Sequence, residues 1–241
     1  MNQLPLSQWV EITATSNMTL YAVLANTGES QAVKEYYIHD GQRTPYGLYS
    51  GTRYADWFSV MPMLVQLDED SSFLDWVQQT EHKDWGWLAR SPFKLEVVAE
   101  HLRGLTQVIL PSGDEVFFRY WDGEHLLGQM FYLGPEWASV MPAFAFYWIN
   151  HQYFTVQIPS HTQPQHFPWW NIPQEMIDRL APQNTKPILS KILQTLEEDY
   201  PELYQRYSQS ALEAKIKRIL SKQQPIDDVL KTVISQLENR R

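Results

Sequence analysis

Residues 62–122 decide the fold of this chain, and they run PMLVQLDEDSSFLDWVQQTEHKDWGWLARSPFKLEVVAEHLRGLTQVILPSGDEVFFRYWD. Short apolar runs typical of buried strands alternate here with segments of helical periodicity. Met63–Leu67 and 85–89 are two such runs. Helical spacing follows the first run, at Phe73, Leu74, Trp76 and Val77. The alternation predicts an N-terminal lobe that mixes sheet and helix, of class α+β or α/β.

Both predicted helices of this stretch carry start signals. Asp-Ser-Ser at 70–72 offers N-caps for the first, because these side chains accept hydrogen bonds from free backbone N–H groups. Ser91 and Pro92 predict the start of the second, with Ser91 as N-cap and Pro92 at the first helical position. The apolar stripe of that helix spans 95–102, and Gly104 ends it.

Two β-hairpins are predicted after this helix. β-rich runs at 107–110 and 115–121 flank the turn sequence Pro-Ser-Gly-Asp. Apolar runs at 143–149 and 153–158 flank Asn-His at 150–151. Each pair is expected to form neighbouring strands, because a short turn joins them.

A change of period marks the C-terminal region. Residues 159–173, PSHTQPQHFPWWNIP, contain four prolines and no helical pattern, which predicts an extended arm or linker. Residues 174–241 carry three apolar stripes of helical spacing and predict a small helical lobe. The predicted domains are therefore a sheet-and-helix lobe at 1–158, the Pro-rich arm and the helical lobe. Within the first lobe, 19–27 predict a further buried strand and 31–58 give no firm assignment.

The charge argues against a non-specific partner such as nucleic acid or an anionic membrane. The 241 residues carry a formal net charge of −9, whereas affinity for phosphate rests on Lys and Arg. Residues 1–189 hold 10 basic and 20 acidic side chains, and 190–241 hold 9 and 8. This change of balance supports a separate C-terminal unit.

The chain contains no Cys, so disulfides, thiolate metal sites and a Cys nucleophile are excluded. The opening sequence MNQLPLSQWVEI lacks the basic and apolar regions of a signal peptide. The longest apolar run, at 140–149, is too short to cross a bilayer. These features predict a soluble, cytoplasmic protein.

The acidic run at 68–72 has the composition of an active site, but no metal-binding motif fits it. An EF-hand loop beginning at Asp68 needs Gly at its sixth position and Glu at its twelfth, where the chain has Phe73 and Gln79. Asp68 and Asp70 can instead form a glycosidase pair. Asp at a strand-to-helix junction is more often a turn or cap residue.

The other catalytic motifs fail as well. HExxH is absent, and the first His of an HxxEH motif ending in Glu100 and His101 is Val97. The sequence GLYSG at 47–51 has the wrong spacing for GxSxG, and neither GxGxxG nor a Walker A motif occurs. We therefore predict no catalytic residue, no metal and no cofactor.

Two groups of residues outside those motifs are candidates for a role. Arg119 and Asp122 flank the end of a predicted strand, where a structural ion pair is more frequent than a site. Phe167, Trp169 and Trp170 are large rings in a Pro-rich segment that cannot cover all of them by itself. These rings either pack onto a lobe or bind a partner, so they are the candidate partner-binding residues.

An ordered set of short motifs resembles one protein family. In chain order the set is LYAVL at 20–24, LVQL at 64–67 with Asp70-Ser71 after it, WGW at 85–87, RSP at 90–92, a helix end at His101, LPSG at 110–113 and FRYWD at 118–122. Over about 19–140, this order resembles the type VI secretion effector chaperones, the Tap/Tec adaptor family. The chain departs from the family pattern at Asn26, where Asp is frequent, and at Gly123, where Pro is frequent.

The resemblance implies a bacterial, cytoplasmic adaptor or chaperone that is not an enzyme. Such a protein binds a cognate toxic effector and helps to load it onto the VgrG spike. Its partners would be the effector and the spike protein, with no nucleic acid and no membrane. The family-motif residues, which we expect to be structural, are Tyr21, Leu67, Asp70, Trp85, Arg90, Ser91, Arg119 and Asp122.

The high aromatic content, which includes ten Trp, suits protein docking because aromatic anchors dominate interface energies. The arm and helical lobe, 159–241, extend beyond the family-like region, and we expect them to contribute effector specificity. Two other functions stay open on the residues alone. A hydrolase would use Asp68, Asp70 or Glu100 with a His, and a carbohydrate-binding module would stack sugars on Trp169 and Trp170.

Overall fold

The computed structural model describes residues 3–14, 16–159, 162–180, 185–220 and 226–238. Contacts within the chain divide it into two compact units, Met1–Pro173 and Gln174–Arg241. The Pro-rich arm belongs to the first unit by this division.

The first unit is built around a six-stranded sheet and a separate hairpin. The strands are β1 Thr19–Leu24, β2 Tyr46–Gly47, β3 Met63–Leu67, β4 Gly86–Ser91, β5 Gln107–Ile109, β6 Glu115–Phe117, β7 Phe146–Ile149 and β8 Gln152–Thr155. The sheet order is β2-β3-β1-β4-β7-β8, and every neighbouring pair is antiparallel. Strands β5 and β6 form the hairpin. The fold is therefore α+β, because an α/β fold would have a parallel sheet.

Helices surround the sheet and make up the second unit. Those of the first unit are α1 Leu6–Ala14, α2 Ala32–His39, α3 Phe73–Gln79, α4 Leu95–Arg103, α5 Gly123–Leu133 and α6 Trp137–Val140. A 3-10 turn at Gly134–Glu136 joins α5 to α6. Those of the second unit are α7 Gln174–Leu180, α8 Thr185–Asp199, α9 Pro201–Gln205, α10 Gln209–Leu220 and α11 Ile226–Glu238.

The central strand β1 shows why an apolar run forms the middle of the sheet. It pairs with β3 on one side and β4 on the other, so that Ala22 faces both Val65 and Leu88 across the ladder. Residues 20–24 are all buried, which matches their continuous apolar character. Gly86 opens β4 with φ +136°, and a Cβ there would lie 2.0 Å from the carbonyl oxygen of Val23. Glycine is therefore required where the two strands meet.

Large rings fill the core on one face of the sheet. The cluster includes Trp9 of α1, Tyr36 of α2, Phe73 of α3, Trp85 and Trp148. The Phe73 ring lies edge-on to Tyr36 at 5.6 Å and to Trp85 at 6.2 Å. Full burial of such a ring contributes about 1.5–3 kcal/mol. The short helices α1 to α3 are thus held mainly by what their aromatic residues bury.

Both predicted hairpins are confirmed. Strands β5 and β6 pair antiparallel from Gln107↔Phe117 to Ile109↔Glu115. Strands β7 and β8 pair across a two-residue turn in which Asn150 and His151 have φ of +47° and +65°. Positive φ at both central positions is the geometry of a tight hairpin turn.

The helix start predicted at 70–72 is confirmed through Ser71, whereas the start predicted at Ser91 is wrong. Asp70 is exposed, and the first N–H of α3 is taken instead by Ser71 Oγ, which accepts from Phe73 at 3.3 Å. Ser91 is the last residue of β4, and α4 begins only at Leu95. The Ser91 hydroxyl donates to the Ala143 carbonyl at 2.6 Å and accepts from Phe93 N–H at 3.0 Å. Strand pairing therefore prevails over the local N-cap signal at Ser91.

The second unit has its own core, made by the predicted apolar stripes. Leu196 of α8, Ile216 of α10 and Val229 and Val233 of α11 are fully buried in it. The Tyr207 hydroxyl donates to the carbonyl of Leu237 at 3.1 Å. These contacts join helices that are distant in the chain into one packed unit.

Candidate protein-binding surface

The acidic run at 68–70 is divided among different contacts. Asp68 Oδ1 lies 2.6 Å from Arg43 Nη2, in an ion pair whose two side chains are both partly exposed. Glu69 binds Arg90 through both carboxylate oxygens, each at 2.6 Å. Asp70 is exposed. The hydrolase interpretation needs Asp68 or Asp70 beside a His, and no such contact is among those the structure gives them.

Arg90 is a fully buried guanidinium with every N–H group bonded. Besides the two bonds to Glu69, Nε donates to Thr13 Oγ1 at 2.6 Å. The carbonyl oxygens of Val10 and Met18 accept from Nη2 and Nη1 at 3.0 and 3.2 Å. The side chain thus ties β4 to α1, to the start of β1 and to the loop after β3. These five bonds stabilise the packing of the three segments around the guanidinium.

The pair expected between Arg119 and Asp122 is present. Arg119 Nη2 donates to Asp122 Oδ2 at 2.7 Å. The other oxygen of the buried Asp122 accepts from the N–H groups of Glu124 and His125 at 3.0 and 3.2 Å. Asp122 is therefore the N-cap of α5, where its negative charge also complements the helix dipole.

Glu100 and His101 are close in sequence but differ in surroundings. Glu100 binds Arg103 on the surface of α4. His101 is 5% exposed, and burial lowers its pKa. The imidazole is therefore neutral at pH 7. Its Nε2 is shielded from solvent and has no hydrogen-bond partner among the described residues.

Four rings from three separate segments contact one another, namely Tyr54, Trp57, Phe117 and Phe167, and Phe58 adjoins Trp57 in the chain. Trp57 stacks on Phe117 with ring centres 5.5 Å apart, and Tyr54 lies 5.0 Å from Trp57 and 4.9 Å from Phe117. Phe167 of the arm stacks on Tyr54 at 6.2 Å. Phe58 follows Trp57, and the two side chains are 67% and 47% exposed. We call this group the aromatic surface.

Polar contacts fix the loop that carries these rings. Gln107 Oε1, on β5, accepts from the Tyr54 hydroxyl at 2.8 Å and from Arg53 Nη2. Arg53 also lies 3.5 Å from Glu115 of β6. At the other end of the loop, the Asn26 side chain donates to the carbonyl of Phe58 at 2.8 Å. The exposed rings are thus held in place by defined bonds, although they belong to no helix or strand.

Buried tyrosines support this surface from beneath. The Tyr49 ring lies 6.1 Å from both Tyr54 and Phe117, and the Trp121 ring is edge-on to it at 6.3 Å. Burial raises the pKa of Tyr49 and of the fully buried Tyr120 well above the ordinary value for a phenol. Both hydroxyls are therefore neutral at physiological pH and act in packing, not as bases.

The arm packs against the β5–β6 hairpin of the first unit. Ile109 N–H donates to the Trp170 carbonyl and the Ile109 carbonyl accepts from Ile172 N–H, both at 2.9 Å. These bonds form a parallel bridge between Ile109 and Asn171. A Cβ on Gly104 would lie 2.2 Å from the carbonyl oxygen of Gln165. Gly104 therefore serves the close approach of the arm, and its φ of −59° is ordinary for a helix end.

The three predicted arm residues are half-buried and take different roles. Phe167 joins the aromatic surface, while Trp170 lies edge-on to Phe118 at 5.1 Å. Trp169 lines a cavity that His101 also lines. The structure thus separates the two Trp residues that the carbohydrate interpretation would use as one stacking platform.

Trp57 and Phe58 are candidates that the sequence alone did not indicate. They lie in 31–58, which has no regular period, and Phe117, on which Trp57 stacks, lies 60 residues later in the chain. The only available signal was two adjacent large rings in a turn-rich segment.

The described ranges hold neither a metal-binding cluster nor a helix suited to span a membrane. In that part of the chain, no group of three or more His, Asp and Glu side chains is placed to hold a metal ion. None of its helices combines the length and the apolar character needed to cross a membrane.

Residues 20–139 match the model of a protein family described as "Domain of unknown function (DUF4123)". The match covers 120 of the 241 residues. It runs from β1 into α6 and includes Trp57, Phe58 and Phe117, whereas β7, β8, the arm and the helical unit lie outside it. Comparisons with curated proteins and with solved structures gave no match.

Proposed function

We propose that this chain is a type VI secretion adaptor or chaperone of the bacterial cytoplasm. It binds a cognate toxic effector and helps to load it onto the VgrG spike, by protein–protein binding and without catalysis. The observation that carries the proposal is the coincidence of two ranges. The ordered motifs that resemble the Tap/Tec adaptors span about 19–140, and the family match spans 20–139. The family description itself assigns no function, so the adaptor role comes from the resemblance.

The aromatic surface supports a binding role. Large rings exposed as a group are uncommon on monomeric proteins and mark interaction sites. Trp and Tyr are the residue types on which interface energy concentrates, because they bury much area at little entropic cost. Defined bonds to Gln107 and Asn26 hold the rings in place. Such pre-organisation reduces the entropy lost on binding.

The test is capture of VgrG and of secreted effector proteins from the source bacterium by the purified chain, with affinities then measured on purified proteins. The variant Trp57→Ala/Phe58→Ala should weaken binding of one of these partners by about 100-fold, as expected for a pair of interface anchors. A matched control is Tyr37→Ala/Ile38→Ala on α2, which removes one ring and one branched side chain of similar exposure. The control should bind normally.

Two results would contradict the proposal. Purified chain that binds neither VgrG nor an effector would remove the adaptor role. Equal loss in both double variants would show that the effect is not specific to the aromatic surface. The contribution of the helical unit to effector specificity remains a prediction, to be tested by exchanging it with that of another family member.

A further inference from the structure

The arm lies against the β5–β6 hairpin in the manner of a bound peptide. Main-chain bonds of 2.9 Å join Ile109 to Trp170 and to Ile172, so that the arm adds a short parallel strand to β5. The rings of Phe167 and Trp170 contact separate rings of the first unit, at 6.2 and 5.1 Å. Main-chain bonds to a strand, combined with contacts for individual side chains, are how proteins recognise extended peptides.

Few contacts hold the arm in this position. Residues 162–173 contain no Asp, Glu, Lys or Arg, and among the described residues their hydrogen bonds to the rest of the first unit are the two at Ile109. Phe167, Trp169 and Trp170 all remain partly exposed. Segments with few bonds and little buried area open at the lowest cost in free energy.

Packing under the arm is also incomplete. A cavity of about 410 Å³ is lined by four arm residues and by residues of α4 and α6, namely Thr162, Gln163, Gln165, Trp169, His101 and Ser139. Well-packed protein interiors contain few voids larger than a water molecule. The arm therefore covers this part of the first unit without filling it.

The site under the arm belongs to the family-matched part of the chain, whereas the arm does not. The match covers 20–139, and within it lie the residues that the arm contacts: Tyr54, Gly104, Ile109 and Phe118. At Gly104 the main chains approach so closely that a Cβ would lie 2.2 Å from the carbonyl oxygen of Gln165. The matched domain thus provides the site, and a segment from outside that domain occupies it.

Exposed rings beside the site offer contacts that the arm leaves unused. Tyr54, on which Phe167 stacks, also lies 5.0 Å from Trp57. Trp57 and Phe58 stay 47% and 67% exposed with the arm in place. A partner segment that lies on Tyr54 and reaches these rings replaces the contacts of the arm and buries further apolar area. That area can offset the advantage of the tethered arm, whose effective concentration is on the order of 1 mM.

We infer that the arm is a displaceable occupant of this site and that an extended segment of a protein partner replaces it. The segment has the chemistry of the arm, with no charged side chain and two aromatic residues spaced as Phe167 and Trp170 are. Its main chain takes over the bonds at Ile109. The arm is then an autoinhibitory contact, because it excludes segments that do not also bind the exposed rings. The inference rests on the proposed function and names the segment that the partner presents.

The probe is a fluorescein-labelled peptide with the sequence of residues 164–173, titrated against the full chain by fluorescence anisotropy. Phe167→Ala/Trp170→Ala weakens the internal arm and should raise the affinity for the peptide about tenfold. His166→Ala/Asn171→Ala changes two exposed arm side chains and should leave the affinity unchanged. No saturable binding to Phe167→Ala/Trp170→Ala at millimolar peptide, or equal affinity of the two double variants, would overturn the inference.

A reversible disulfide tests where the peptide binds. The chain has no Cys, so Ile109→Cys/Asn171→Cys contains the only two thiols, at residues that are paired in the bridge. Neighbouring strands lie about 4.8 Å apart, within the Cα separation of disulfides. Added to Phe167→Ala/Trp170→Ala, the oxidised pair should weaken peptide binding about tenfold, and reduction should restore it. Equal affinity of the two forms would place the peptide elsewhere and overturn the inference.

Amide hydrogen exchange distinguishes replacement of the arm from binding beside it. In the native chain with bound peptide, the N–H of Ile172 loses its acceptor and should exchange about tenfold faster. The N–H of Ile109 gains a carbonyl partner from the peptide and should stay protected. Unchanged exchange at Ile172 would contradict replacement.

Capture of the partner separates the inference from the proposed function. Oxidised Ile109→Cys/Asn171→Cys should bind VgrG or the effector about tenfold more weakly than its reduced form does. Equal capture by the two forms would overturn the inference and leave the proposed function intact. Peptide exchange in a chain that captures neither protein would contradict the proposed function alone. A dimer of the chain that oxidation of the pair abolishes would also overturn the inference, because the arm of a second copy would then be the occupant.

Discussion

Arg90 and Arg53 each lie against an aromatic ring of the first unit. The region around Arg90 is buried, whereas the region around Arg53 leaves aromatic rings exposed to solvent. The Arg90 guanidinium lies 5.8 Å from the Trp9 ring, is fully buried, and has all its N–H groups bonded. The Arg53 guanidinium lies 5.1 Å from the Tyr54 ring on a surface where Trp57 and Phe58 stay exposed. In the first region rings and polar groups are buried together. In the second, rings remain in water, which folding alone does not favour.

Replacing Arg90 should destabilise the first region and cause the largest loss in the free energy of unfolding. Arg90→Met keeps the length of the side chain but removes every bond to Glu69, Thr13 and the two carbonyl groups. We expect a loss of about 3–5 kcal/mol in the free energy of unfolding, because buried acceptors lose their donors. Urea unfolding followed by Trp fluorescence measures it, and all ten Trp residues lie in 1–173, so the signal reports the first unit.

Arg43→Met is the matched control for Arg90→Met. Its pair with Asp68 has the same 2.6 Å distance, but both side chains are partly exposed. Exposed pairs contribute only about 0–1 kcal/mol. Similar losses of unfolding free energy in Arg90→Met and Arg43→Met would show that burial does not set the contribution of these ion pairs. The contrast between the buried and the exposed region would then be wrong.

Asp122 lies next to the residues that support the second region, and its removal should have an intermediate effect on the free energy of unfolding. It caps α5 and follows Trp121, whose ring supports Tyr49 beneath the aromatic surface. Asp122→Ala should cost about 1–2 kcal/mol, as loss of an N-cap does. Asp122→Asn retains a good cap acceptor and loses mainly the charge that pairs with Arg119, so it should cost less than half as much. Equal losses of unfolding free energy in Asp122→Ala and Asp122→Asn would show that the ion pair with Arg119, and not the helix cap, is what stabilises the chain.

The sequence predicted elements whose signal is local. Strand β3 coincides with the predicted run, and both hairpins have their turns at the predicted places. The helical stripes of the second unit are buried as their period indicated. In each case a repeat of two or 3.6 residues, or a tight turn, fixes the structure within one segment.

Elements decided by distant contacts were not predicted. Ser91 has the pattern of an N-cap, yet pairing of β4 with β1 and a bond to Ala143 keep it in the strand. The aromatic surface depends on Gln107 and Phe117, which anchor a loop more than fifty residues earlier. No period within 31–58 shows that contact. For the same reason, the sequence alone did not decide whether Phe167, Trp169 and Trp170 pack onto a lobe or bind a partner.

His101 is buried like Arg90 but lacks a partner at Nε2, and this difference should appear in the pH dependence. Burial lowers its pKa in the folded state, whereas an unfolded His titrates near pH 6.5. As the pH falls through about 6.5, the unfolded state takes up a proton that the folded state refuses. Stability therefore falls, by at most about 1.4 kcal/mol per pH unit. From pH 7.5 to 5.5 the unfolding free energy of the native chain should fall relative to that of His101→Phe, whichever of the two is the more stable at pH 7.5, and a constant difference would contradict this account.

The smallest loss of unfolding free energy should come from the most exposed rings. Its size distinguishes a role in the core from a role in partner binding. Trp57→Ala/Phe58→Ala should lower the free energy of unfolding by no more than about 1 kcal/mol, because Phe58 is mostly solvated and Trp57 rests on Phe117 by one face. Phe73→Ala, which removes a fully buried ring, should cost about 3–5 kcal/mol in the same assay. Urea midpoints measure both. If the double variant lost as much as Phe73→Ala, the exposed rings would belong to the core, and the contrast with the Arg90 region would disappear. A small loss leaves partner binding as the physical reason for keeping two large rings in water.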